Sequence, residues 1–394
     1  MATKKRFLFT TTAGYGHFHP LVPLAQMLNE AGHEVAFAAP PSLSKTISAA
    51  GFRFFAVDGN HKQDPEYQQV RPELHKLPLG LETEKLIYAK IFCGINPRLA
   101  VPDLLEVARS WKPDGFIRES AEYGGFIVAK LLALPCVEVN PLASLMGLFT
   151  FEQEGYVNLN FIGQKFGLVS NFSFETLHSG RVITFAPPSF CMHSLREPYP
   201  VSPYFVRPQF FDQSGNEVLP EWVAKLPDLP TVYVTLGTEA NDTPGVLQTI
   251  IDGLRDEPIN LIATVGRNQN PADFGEQPPN VHIERYIPQS LLLPYCNLTV
   301  MHGGSNSLLQ AVSAGLPLVI VPLIADQFFN ADIVESLGLG QIVKLAQLNP
   351  DNVRSAVREG LNNPVYRHNI KRLRNEMQSL PELKSLQSVF NLLY

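Results

Sequence analysis

Apolar positions in the first 140 residues fall into two alternating patterns. Short, largely apolar runs at 6–12, 34–38, 53–57, 114–118 and 135–139 have the length and composition of strands. Between them, 20–31, 101–111 and 124–132 carry apolar residues at helical spacing, with Leu21, Leu24, Ala25 and Leu28 on one face of the first. Pro20 in the first turn and Gly32 just past the last suit the ends of that helix. Strands alternating with helices predict a parallel sheet covered on both faces. The rhythm is lost over 140–230, which is rich in Phe, Pro, Ser and Asn. It resumes with strand-like runs at 231–236, 260–265, 298–301 and 318–321. Two α/β halves are therefore expected, joined near 205–225 with the Pro-rich stretch 196–208 leading into the connection. The tail, 363–394, reads as two helices split by Pro381.

Length agrees: 394 residues suit two domains better than one. Hydrophobic residues at 45% against 17% charged allow sizeable cores and exclude a broadly disordered chain. A net charge of −6 excludes a binder of nucleic-acid backbone, which needs a basic face. An anionic ligand must then be held by local donors. Cys93, Cys136, Cys191 and Cys296 are scattered without a CxxC, which fits a reducing compartment and no zinc site. The apolar run behind the basic N-terminus, Phe7 to Phe9, is too short for a secretory signal. No stretch reaches the roughly 18 apolar residues of a membrane span. The expectation is a soluble cytoplasmic protein without stable membrane insertion, and a monomer or homodimer.

One strand end carries unusual chemistry. The run 298–301 leads directly into His302, Gly303, Gly304, Ser305, Asn306 and Ser307, and a helix-forming stretch follows. Each residue has a use if the ligand is a phosphate. A helix start leaves backbone N–H groups unpaired and carries a positive dipole end. Glycines let backbone approach the anion, and Ser, Asn and His side chains donate. On these six residues alone, a capped helix after a glycine turn is an equal reading.

The surroundings of this hexapeptide change the balance. Tyr286-Ile-Pro-Gln289 lies upstream; Ala314-Gly-Leu-Pro317, then 321–327 ending in Asp326-Gln327, and Asn330-Ala331 lie downstream. Together they closely resemble the donor-binding signature of the family 1 glycosyltransferases. The His302-to-Gln327 distance matches that of plant members, the Tyr286-to-His302 stretch is slightly shorter, and His-Gly-Gly is the form of bacterial antibiotic and macrolide members. The resemblance implies a GT-B fold: α/β, two Rossmann-like domains with parallel sheets facing across a cleft. It implies an acceptor-binding domain over 1–210, a nucleotide-sugar-binding domain over 211–375, and a C-terminal helix over 376–394 crossing back to the first. It implies that Tyr286 stacks on the base and that Ile287 and Gln289 contact base and ribose. His302 and Gly304, Ser305, Asn306 and Ser307 would hold the pyrophosphate. Asp326 and Gln327 would bond the sugar hydroxyls, although that pair alone reads better as a helix N-cap. Many members carry a glutamate for the ribose hydroxyls where this chain has Gln310. A neutral partner in place of a charged one weakens such a bond by about tenfold or less. The base is left open, uridine or thymidine.

A second constellation, TTTAGYGHFHP (10–20), runs from the end of the first strand into the first helix. That edge of a parallel sheet is where open α/β folds bind ligands. The spacing is not GxGxxG. By the resemblance His17 is the general base, a task suited to an imidazole that titrates near working pH. Gly16 beside it is assigned to the donor side, as are Gly237 and Thr238 at the end of the strand 231–236. A base histidine needs an orienting carboxylate. Glu119, just after the strand 114–118, fits that place, and Glu122 is the alternative. His17 and His19 could share a metal, but no third ligand is evident, and no metal or cofactor beyond the UDP- or TDP-linked co-substrate is expected.

Eleven of the 25 phenylalanines lie in 140–212 and suggest an apolar acceptor lining. His19, Tyr67, Tyr88, Phe92 and Phe149 are assigned to the acceptor. The implied reaction is an inverting, metal-independent transfer to a hydroxyl of a hydrophobic acceptor, and the chain contains no Asp-x-Asp. The rivals are a sugar-nucleotide epimerase or hydrolase on the same fold, and a non-catalytic helper that keeps the nucleotide site.

Overall fold

A computed structural model describes residues 4–57, 61–144, 150–153, 155–169, 171–178, 180–193, 202–212, 218–239, 241–267 and 269–391. The chain divides into two compact units. The first comprises Met1–Ala186, Ser194–Gly215 and Leu380–Tyr394; the second comprises Pro187–His193 and Asn216–Ser379.

The first unit holds a parallel sheet in the order β3-β2-β1-β4-β5-β6-β7. These strands are β1 (Arg6–Thr10), β2 (Glu34–Ala39), β3 (Arg53–Ala56), β4 (Gly115–Glu119), β5 (Cys136–Asn140), β6 (Arg181–Thr184) and β7 (Tyr204–Phe205). Central strands are buried on both faces, hence their mostly apolar runs. The strands β6 and β7 lie where the rhythm fades; four and two residues are too few to show a period.

Two helices differ from their expected form. The stretch 20–31 begins as a 3₁₀ turn, His19–Leu21, before the α-helix Val22–Glu30. A proline stands in the first turn of each piece, where a missing N–H is tolerated. The stretch 101–111 is the end of a longer helical run: Leu81–Ile87, a π-helical segment Tyr88–Ile95, then Asn96–Trp111. The wider turn lies just ahead of Pro97, which has no N–H to return to an earlier carbonyl. The segment Leu380–Tyr394 belongs to the first unit. There the Arg207 amide donates to the Pro381 carbonyl (2.8 Å), and Phe390 lies edge-on to Phe7 of β1 (5.7 Å between ring centres).

The second unit repeats the plan with β8 (Thr231–Thr235), β9 (Asn260–Thr264), β10 (Val281–Glu284), β11 (Leu298–Met301), β12 (Leu318–Ile320) and β13 (Gly340–Ile342). All pairs are parallel, in the order β10-β9-β8-β11-β12-β13. Val232 and Val234 face one core with Ile250, Ile251, Leu298, Val300 and Val357. Tyr233 faces the other with Ile262, Ile287 and Leu292. The edge strands β10 and β13 are short and half exposed, so neither produces an apolar run and neither is evident in the sequence. Among the described residues, no helix is long and apolar enough to cross a membrane.

Candidate active site

In both sheets the strand order steps outward one way from the first strand and then resumes on its other side, at β4 or β11. Loops leaving the two central strands part to opposite faces there, and ligands of open α/β sheets bind at that point. Each switch point carries one of the constellations singled out above.

In the first unit the switch lies between β1 and β4, whose register pairs Thr10 with Arg118. The next residue on one side is Glu119; on the other, the chain turns at Gly14 into the short helix Tyr15–Phe18 that carries His17. His17 Nδ1 lies 3.1 Å from Glu119 Oε2. The imidazole is 28% exposed and the carboxylate fully buried, so the histidine is open to a ligand while its partner is dry. Glu119 is engaged on both oxygens: Oε1 accepts from the Ala121 amide (2.9 Å) and Ser120 Oγ (3.1 Å), and Oε2 accepts from Thr12 Oγ1 (3.4 Å). Burial pushes its pKa up, but the charge of His17 and the hydrogen bonds from His17, Ala121 and Ser120 overrule this and hold it below the ordinary value. Glu122 is turned elsewhere, accepting from Thr10 Oγ1 and the Gly125 amide, and burial raises its pKa. Of the two candidate carboxylates, Glu119 is therefore the one brought to His17.

The acceptor candidates divide. Phe92 lies 6.0 Å from His17, ring centre to ring centre. Phe92 stacks on Tyr88 (5.1 Å), which stacks on Phe151 (5.2 Å). Tyr88 is buried, its hydroxyl 2.9 Å from that of Tyr123, so it backs this wall rather than facing a ligand. Tyr67 packs with Phe92 around Ile91 and Ile95. His19 sits among Tyr15, Phe18 and Phe211. Gly16 is exposed in the helix that carries His17. Phe149 lies outside the described residues.

In the second unit the switch lies between β8 and β11, where Thr235 pairs with Met301 and His302 follows. His302 is 9% exposed. A Cβ on Gly237 would lie 2.6 Å from its Nε2, and one on Gly304 would lie 2.4 Å away. A Cβ at either position would force the ring to shift, and Gly237 also has a left-handed backbone (φ 74°). Burial pushes the imidazole pKa down to about 4, against the pull of the Thr235 backbone, so His302 is neutral at pH 7. The helix Ser305–Ala314 starts three residues beyond His302, and its first N–H groups and dipole suit this end to an anion. Asn306 and Ser307 are half-buried in its first turn, and the Ser307 carbonyl accepts from Gln289 Nε2 (3.2 Å).

Asp326 does not cap the helix Gln327–Ser336 that it precedes. Its Oδ2 instead accepts from Ser305 Oγ and from Asn330 Nδ2 (2.9 Å). Asn330 also donates to the Gly303 carbonyl (2.8 Å), tying the glycine turn to the Asp-Gln loop. Ala325 in that loop has φ 55°, a strained position for a non-glycine residue. The Gln327 side-chain oxygen accepts from the Leu323 and Ile324 amides (2.8 and 3.1 Å), so any bond to a sugar falls to its NH₂. Tyr286 is 41% exposed just past β10. Ile287 is buried in the core, which leaves only its backbone for a ligand. Thr238 is exposed, and Gln310 is buried with no partner for its side-chain oxygen. Among the described residues, no group of three or more His, Cys, Asp or Glu side chains could hold a metal ion.

One cluster was not found from the sequence. Arg118, Glu138, His178, Glu152 and Tyr123 form a buried chain behind the His17–Glu119 pair. Arg118 and Glu138 signal themselves, being charged residues inside strands that are otherwise apolar on both faces. Glu152 and His178 lie in short helical segments of the stretch where the rhythm is lost and carry no such signal.

Residues 248–389 match the family model described as the erythromycin biosynthesis protein CIII-like C-terminal domain. The chain is 29% identical to the tylactone mycaminosyltransferase of Streptomyces fradiae, with 95% of this chain and 89% of that one covered. Its fold is similar to that of the glycosyltransferase SnogD from Streptomyces nogalater, with a TM-score of 0.77, 26% identity and full coverage of both chains. It is similar also to the glycosyltransferase VinC in complex with DTDP, at a TM-score of 0.79 and 25% identity over 98% of this chain and 99% of that one. Two doubly wound units, each with signature residues at its switch point, and full-length relatives of one kind lead to one conclusion: the chain has a GT-B fold and is similar throughout its length to glycosyltransferases of the family 1, natural-product type.

Proposed function

We propose that the chain moves a sugar from a TDP-linked donor to a hydroxyl of a polyketide-derived, apolar acceptor, with inversion and without a metal. The observation that carries this reading is the half-exposed His17 against the fully buried Glu119 at 3.1 Å. His17 takes the proton of the acceptor hydroxyl as that oxygen attacks the anomeric carbon, and Glu119 holds the ring and offsets the imidazolium charge. Inversion fits because Glu119 has both oxygens occupied and Glu122 is turned to Thr10 and Gly125, so neither carboxylate is available as a nucleophile. The leaving diphosphate is received by the first N–H groups of the helix Ser305–Ala314 and by His302. Asp326 and Gln327 contact the sugar, and Tyr286 stacks on the base.

Thymidine is supported by two observations. A structural relative was solved with DTDP. Gln310 replaces the glutamate that many members direct at the ribose hydroxyls, and a deoxyribose, with one hydroxyl fewer, needs that charged partner less. The polyketide acceptor is supported by the name of the tylactone relative and by the aromatic wall beside His17.

The test is to incubate the protein with TDP- and UDP-sugars, with and without polyketide, phenolic and sterol acceptors, and to determine products and anomeric configuration. Nucleotide released only with acceptor, and an inverted glycoside, are expected with TDP and a polyketide. Interconversion or hydrolysis of the sugar nucleotide without acceptor would replace this reading with the epimerase or hydrolase. Tight donor binding without turnover would replace it with the helper.

A further inference from the structure

The buried chain behind the catalytic pair is continuous in both directions. Arg118 Nη2 donates to Glu138 Oε2. The same carboxylate oxygen contacts His178 Nδ1 (2.5 Å), while His178 Nε2 contacts Glu152 Oε2 (2.8 Å). Tyr123 donates to Glu152 Oε1 (2.5 Å), and the Tyr123 and Tyr88 hydroxyls are 2.9 Å apart. A carboxylate only accepts, so an imidazole with one on each nitrogen carries both protons. Two cations and two anions then balance inside the protein. Burial acts to lower the His178 pKa, but Glu138 and Glu152 outweigh it and hold it at about 9. Other ionisable groups close to this chain include Glu119, Glu122, Tyr156, Cys93 and Cys136.

Well-packed apolar residues would give such an interior equal or greater stability, so the chain calls for a role in geometry. Its two ends suggest one. At one end Arg118 Nη1 donates to the carbonyls of Ser120 (2.7 Å) and Glu119 (3.3 Å), fixing the backbone from which the Glu119 carboxylate reaches His17. At the other end Tyr88 and Phe151, the neighbour of Glu152, form the stack that continues through Phe92 to His17. We propose that His178 and Glu152 are positioning residues that lock the aromatic wall Phe151–Tyr88–Phe92 to the strand carrying Glu119, so that an apolar acceptor is held in register with His17. This rests on the proposed reading of His17 as the base and of its surroundings as the acceptor side.

Glu152→Gln and His178→Gln, with Tyr88→Phe as the mildest variant, test it in the full chain. Two readouts need no turnover: hydrogen exchange over 88–95 and 150–153, and equilibrium dialysis of a macrolactone aglycone, with TDP titrated in parallel. Glu152→Gln is expected to speed exchange in those segments by about tenfold, leaving 302–314 unchanged. Macrolactone affinity is expected to fall by about tenfold while TDP affinity stays within about twofold. Tyr88→Phe should give the same pattern at about threefold. Unchanged exchange over 88–95 in Glu152→Gln or Tyr88→Phe overturns the inference. So does faster exchange with unaltered macrolactone affinity, which would make the chain purely structural. A wild type that binds no macrolactone refutes the reading of the acceptor separately, and the exchange result then decides this inference alone.

Discussion

His178 in the first unit and His302 in the second are both buried, yet their surroundings drive them in opposite directions. His178 lies between two carboxylates and is kept charged, with a pKa near 9. His302 has glycine Cα atoms beside it and is kept neutral, with a pKa near 4. The difference reflects how the two sites are made. The second unit presents backbone, namely a glycine turn and a helix N-terminus, beside an uncharged ring. The first unit presents side chains, and it holds them with buried ion pairs recruited from β4, β5 and two short helical segments.

The largest effect should follow from breaking the side-chain site. Glu119→Gln removes the charge that faces His17 while keeping the shape. Turnover should fall by roughly 10²–10⁴, with TDP affinity unchanged. Turnover within a few-fold of wild type would mean that Glu119 does not orient the base.

The two histidines predict opposite pH sensitivities for the two units. His178 has a raised pKa, so its stabilisation is complete below the unfolded value near 6.5 and is lost as pH rises through about 9. His302 has a lowered pKa, so its contribution is complete above 6.5 and is lost as pH falls towards about 4. At 1.36 kcal/mol per pH unit each displacement corresponds to at most roughly 3 kcal/mol. Hydrogen exchange at pH 5, 7 and 9 should show the second unit loosening in acid and the first in alkali. His302→Gln should weaken the acid response and His178→Gln the alkaline one. The same order in both units would contradict the contrast.

A smaller effect sharpens the backbone side. Gly304→Ala places a methyl against His302 Nε2, so the ring must shift. Affinity for TDP-glucose should drop by about tenfold, and macrolactone affinity should not change. Calorimetry on both ligands checks this, and an unchanged donor affinity would remove His302 from the diphosphate site.

The same contrast governs what could be read from the sequence. The candidate donor loop was legible because strand end, turn and helix start are contiguous in the chain, so 302–307 and Asp326-Gln327 read as spaced motifs. His17 was legible for the same reason. Glu119 was legible as one of two acids after a strand, and the choice needed coordinates, because residues 119 and 122 differ only in which way a single turn aims them. The chain through Glu152 and His178 joins residues 26 and 40 positions apart and has no local pattern. The π-helical turn ahead of Pro97 and the edge strands β10 and β13 were hidden because tertiary packing, not periodicity, sets them.

The most direct test of the central claim, that His17 is the base and the second unit grips the donor independently of it, is one paired measurement on His17→Ala. Acceptor-dependent TDP release and TDP affinity are measured on the same preparation. The expected result is turnover lowered by roughly 10²–10⁴ with TDP affinity within about twofold of wild type. Turnover near wild type, or a loss confined to TDP affinity, would contradict it.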